Sequence, residues 1–176
     1  MKSYSLYTEL LERAVNALKS GEEPELEQPI SQNTEVNLYT SALLQSDYIP
    51  DVHTRLILYK RIANAPDEPS LDEIQVELID RFGLLPKAAK ALIRITELKL
   101  KATPLGIRKI DFGSKGGYII FNDNTSVEPQ MIINLIQMHP KDYRLAGPDK
   151  LNLLIEIEDF SERCQRLEGI LEQFKS

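Results

Sequence analysis

Three carboxylates at helical spacing, Glu73, Glu77 and Asp80, are the side chains here best suited to recognition chemistry. Steps of four and three residues place them along one helix face, with apolar Val76 among them. A line of like charges mildly destabilises an isolated helix, and Val76 adds apolar surface where water is expected. A partner bearing arginines would answer both features, by bidentate carboxylate pairing around a small apolar contact. The plain alternative is a solvated charged face. Lys87, Lys90, Arg94 and Lys101 form a second stripe of opposite sign. It is either a solvated face or a nucleic-acid contact. No aromatic residues alternate with these bases, so stacking on single strands has no support.

Other chemistry finds little material. The sequence has no Gly-x-x-x-x-Gly-Lys-Ser/Thr loop. Gly113, Gly116 and Gly117 precede a β-type run, whereas a phosphate cradle needs a helix N-terminus directly after it. His53, His139 and Cys164 are too scattered for a zinc set, and no other cofactor site is visible. Cys164 falls on an apolar stripe, which predicts a buried, inert thiol. No pair of acids marks a pocket, so catalysis by this chain is not expected.

The elements that position these residues follow from periodicity. Leu6, Tyr7, Leu10, Leu11, Ala14, Val15 and Leu18 form one helical stripe over residues 1–20. Residues 21–34, rich in Glu, Pro and Gln, read as a linker. An extended run is expected over 35–44. Asp51 caps the next helix, with Leu56, Tyr59, Ile62 and Ala63 facing inward. Ser70-Leu71-Asp72-Glu73 resembles a capping box, which predicts a helix from Leu71 to Phe82, ended by Gly83 in a left-handed cap. Leu71, Ile74, Leu78 and Phe82 are its core stripe. A further helix runs from Pro86 to Ala102, buried through Ala89, Leu92, Ile93, Thr96 and Leu100.

Beyond this the pattern turns to strands. Residues 107–112 and 118–122 suit a hairpin closed by residues 113–117. A helix over 129–138, extended runs at 143–145 and 151–157, and a helix capped at Asp159 complete the chain. In that last helix the apolar positions Phe160, Cys164, Leu167, Leu171 and Phe174 follow a seven-residue rhythm. The class is α+β: helices grouped in the first part, a small, mostly antiparallel sheet with a hairpin at 107–122, then a C-terminal helix.

Size and charge set further bounds. The 176 residues are 42% hydrophobic, enough for a core without disulfides, and one cysteine forms none internally. A single cysteine and no apolar run of spanning length fit a cytoplasmic chain. The net charge of −6 disfavours tight binding to a nucleic-acid backbone. The charge is uneven, with three basic and eight acidic residues over 1–50 but nine and eight over 51–103.

Several motifs, in order, resemble one family. Tyr4-Ser5-Leu6-Tyr7, Leu10-Leu11 and Ala14-Val15 are similar to the helix leaving the motor of bacterial transcription-repair coupling factors (Mfd). Tyr48-Ile49-Pro50-Asp51, Arg55-Leu56, Tyr59-Lys60-Arg61-Ile62-Ala63, Glu77-Leu78-Ile79-Asp80-Arg81-Phe82-Gly83-Leu84-Leu85-Pro86 and Leu105-Gly106-Ile107 resemble their C-terminal regulatory domain, most closely in proteobacterial members. The resemblance implies that residues 1–20 continue from an upstream translocase domain and that 35–176 are the regulatory domain. It implies a full protein that translocates on DNA with ATP and Mg in that motor, displaces stalled RNA polymerase and recruits UvrA. It further implies that this domain packs on a UvrB-like N-terminal domain of the same protein, masks the UvrA-binding surface and restrains the motor. The contact acids of the family motif fall on Glu77 and Asp80; helical geometry extends the surface to Glu73 and Val76. A nucleic-acid-binding accessory role through Lys87, Lys90, Arg94 and Lys101 is the alternative.

Overall fold

The computed structural model describes residues 34–175. The expected helix over 1–20 lies outside them. Of the expected linker only Thr34 is described, and it is buried, its hydroxyl 2.6 Å from the Ile107 carbonyl oxygen.

Strand β1 (Glu35–Asn37) is followed by helices α1 (Val52–Ala63), α2 (Glu68–Phe82) and α3 (Lys87–Ala102). A single 3-10 turn leads into the hairpin β2 (Ile107–Gly113) and β3 (Gly116–Phe121). Helix α4 (Pro129–Met138), strands β4 (Tyr143–Leu145) and β5 (Lys150–Leu153), and helix α5 (Phe160–Gln173) complete the order. The sheet runs β1-β2-β3-β5-β4. Only β1 against β2 is parallel, in the register Val36 to Ile110. The α+β class expected from the sequence is the one observed.

Two apolar cores meet at α3. Leu98, Ala102 and Ile95 pack with the inner sheet face (Ile110, Phe112, Ile119, Leu151) and with Leu167 and Leu171 of α5. Ala89 and Ile93, nearer the start of α3, pack with α1 and α2 through Leu58, Ile62, Leu71, Ile74 and Leu78. This double duty buries more of α3 than one stripe predicts: Ala88, Ala91 and Leu98 are covered as well, while Leu92 and Leu100 are only half-buried.

Local expectations hold where a cap fixes them. Asp51 accepts from the Thr54 amide and Asp159 from the Glu162 amide. The start of α2 differs. Its cap is Asp67, which accepts from the Ser70 amide, so the helix begins a turn earlier than the Ser70 box implies. Pro69 does not prevent this, because first-turn amides have no partner within the helix anyway. In α1, Leu58 is buried and Ala63 is exposed, the reverse of the expected pattern. The run expected over 35–44 pairs for only three residues, since Tyr39 turns the chain at φ +56°. Strand β5 likewise ends at Leu153 rather than continuing to 157.

Candidate interaction surface

Helix α2 presents the surface. Leu71, Ile74 and Leu78 anchor it in the core, which turns Glu73, Val76 and Asp80 outward. Val76 is 66% exposed, Ile79 39% and Leu84, just past the helix, 85%. Among the described residues Glu73 and Asp80 make no hydrogen bond or ion pair, and they lie one turn to either side of Val76.

Glu77 differs from its neighbours. Arg61 of α1 grips both of its oxygens, Nη1 to Oε2 at 2.8 Å and Nη2 to Oε1 at 2.9 Å. Arg81, one turn along α2, donates a third bond to Oε2 at 2.9 Å. The bonds from Arg61 and then Arg81 pull the Glu77 carboxyl down to about 2. The four expected surface residues therefore share a face, but Glu77 has a structural duty that its sequence position did not reveal. Spacing could have shown Arg81; Arg61 sits on another helix and gave no signal.

The corner after α2 is built from its motif. Gly83 adopts φ +95° and ψ −173°, positive in φ as expected but extended rather than left-handed helical, and its amide donates to the Ile79 carbonyl. The Tyr48 hydroxyl reaches the Gly83 carbonyl oxygen at 2.8 Å, and its ring meets Phe82 edge-on at 5.8 Å. The Arg81 guanidinium lies 4.8 Å from the Phe82 ring centre. Tyr48 thus ties the chain at Gly83, just before the exposed Leu84, a role unread in the sequence.

The basic stripe does not act as a unit. Lys87 and Lys90 are exposed at the start of α3. Arg94 bonds Glu168 of α5 at 3.0 Å and Glu97 at 3.3 Å, and Lys101 bonds Glu68 at 3.1 Å and approaches Glu168 at 3.6 Å. Half of the stripe ties helices together, and the field offered to a phosphate backbone is correspondingly weaker.

The remaining candidates stay structural. Cys164 is buried, and burial pushes its thiol up to about 11. His139 packs edge-on against Tyr143. Among the described residues no three His, Cys, Asp or Glu side chains gather as metal ligands. An open depression is lined by Leu43, Gln45, Ser46, Asp47, Arg55 and Tyr59, with Asp47 its one carboxylate. Arg55 is turned toward the Ile49 and Pro50 carbonyls. Among the described residues no helix is long and apolar enough to cross a membrane.

Comparison with known proteins agrees with this architecture. The family model described as the TRCF domain matches residues 38–132, more than half of the chain. The transcription-repair-coupling factor of Escherichia coli K12 is 53% identical over 167 residues, covering 95% of this chain and 14% of that protein. The Haemophilus influenzae factor is 47% identical over 173 residues, covering 98% and 15%. The chain thus spans about a seventh of the length of these relatives. A crystal structure of the C-terminal domain of transcription-repair coupling factor shares the fold, with TM-score 0.68 and 23% identity over 81% of this chain and 94% of that one. The chain belongs to the TRCF domain family of bacterial transcription-repair coupling factors.

Proposed function

We propose that this domain is an autoinhibitory interaction module. Its α2 face covers the UvrA-binding surface of a UvrB-like N-terminal domain in the same polypeptide and restrains the motor until RNA polymerase is engaged. The supporting observation is the pairing of exposed Glu73 and Asp80 with an apolar strip of Val76, Ile79 and Leu84 on a helix whose other side is locked into a core. Such a face suits an arginine-bearing surface, with carboxylate–guanidinium pairs around a small desolvated centre.

The energetics favour a lid that opens. Keeping a site 99% covered needs about 2.7 kcal/mol. One exposed ion pair contributes about 0–1 kcal/mol. Two pairs and the apolar strip meet that requirement, helped by an effective concentration on the order of millimolar from the tether. The same surfaces as separate pieces bind weakly.

The test is Glu73→Lys with Asp80→Lys in the intact polypeptide, which leaves the Arg61–Glu77–Arg81 cluster in place. UvrA affinity should rise while the thermal midpoint of this domain stays near wild type. An unaltered affinity rejects the lid at this face. The nucleic-acid alternative retains Lys87 and Lys90 but loses Arg94 and Lys101 to helix packing.

A further inference from the structure

We infer that Arg61 is a built-in competitor for the docking face, which weakens the closed lid and so sets how readily it opens. The inference rests on the reading of α2 as a surface for guanidinium groups.

A carboxylate offers about four acceptor positions. At Glu77 three are filled from within the domain, two by the Arg61 fork and one by Arg81. Arg81 is one turn from Glu77 on the same helix. Arg61 reaches across from α1, and its side chain is 42% exposed, so it sits at the surface where a partner would arrive. The cluster of one carboxylate and two guanidiniums has a net charge of +1. An incoming arginine can grip both oxygens of Glu77 only by displacing Arg61, or it docks on Glu73 and Asp80 while being repelled by this cluster. Arg61 opposes closure in both geometries. Bidentate guanidinium–carboxylate pairing makes the occupation specific, so the effect goes beyond background charge.

The experiment uses the intact polypeptide, with UvrA binding as the readout. Arg61→Gln should close the lid more tightly and lower UvrA affinity about two- to fivefold, the range of one exposed ion pair. The drop should shrink as salt rises. Arg61→Lys keeps the charge and loses the fork, so it should give a smaller drop, and it preserves the test if the glutamine variant folds poorly. If Arg61→Gln leaves UvrA affinity unchanged or raises it while Glu73→Lys/Asp80→Lys raises it, the competitor is refuted and the lid stands. If neither variant changes affinity, the lid itself is refuted, and the competitor with it.

Discussion

Glu168→Gln tests the junction where α3, α5 and the start of α2 are tied by charge. Glu168 bonds Arg94 at 3.0 Å and lies 3.6 Å from Lys101, which also holds Glu68 at 3.1 Å. The three side chains are 32%, 27% and 15% exposed, so the pairs are partly screened, and each merits about 0.5–1 kcal/mol. After substitution Arg94 keeps Glu97 and Lys101 keeps Glu68, so neither cation is stranded. The expected loss is about 1–1.5 kcal/mol near pH 7, or roughly 3–5 °C in thermal midpoint for a domain of this size. The Glu168 carboxyl lies below its ordinary 4.5, chiefly through the bond from Arg94, with Lys101 adding to it. A carboxyl lowered on folding contributes stability above its unfolded value, and that contribution disappears as pH falls through the folded value. The gap between wild type and Glu168→Gln, measured by urea unfolding from pH 7 to 3, should hold down to about pH 5 and then close. A gap that persists unchanged at pH 3, or one below about 0.3 kcal/mol at pH 7, refutes the electrostatic account.

Two further substitutions probe packing and backbone. Arg163 is 3% exposed and donates to the Leu38, Ile157 and Glu158 carbonyls, so Arg163→Met strands three acceptors and should cost about 3 kcal/mol or more in urea unfolding. Gly83→Ala should cost roughly 1–3 kcal/mol through its positive φ alone, since an added Cβ meets nothing within 4 Å; a thermal melt within 1 °C of wild type contradicts this.

Sequence was most legible where structure is set locally. The caps at Asp51 and Asp159, the hairpin (whose turn is the shorter Ser114-Lys115, since Gly113, Gly116 and Gly117 pair within the strands) and the stripe Cys164, Leu167, Leu171 and Phe174 depend on neighbours a turn or two away. Readings weakened where a distant partner decides. The three-residue β1 exists because Ile110, more than seventy residues on, offers a parallel edge. Arg163, which the sequence reading passed over, reaches Leu38 of the segment after β1 with its guanidinium and, among the described residues, carries one buried nitrogen, Nε, without a partner. At the candidate face the acids and Val76 were visible from spacing, but the division among them was not. Whether a carboxylate is free or already gripped depends on where α1 lies against α2.

That division alters what the acidic motif means physically. If all three acids were free, the face would be a sticky negative ridge, and closure would depend mainly on the charge of the partner. With Glu77 held by Arg61 and Arg81, the free charge is confined to Glu73 and Asp80 on either side of an apolar centre. Charge then supplies orientation and salt sensitivity, while Val76, Ile79 and Leu84 supply contact area. The rigidity comes from elsewhere: α2 is fastened to α1 by the Arg61–Glu77 fork, to α3 by a shared core, and through Glu68 to Lys101 beside α5. Such a face suits the weak contact that the proposed lid requires, on a helix whose backbone is held by its own core.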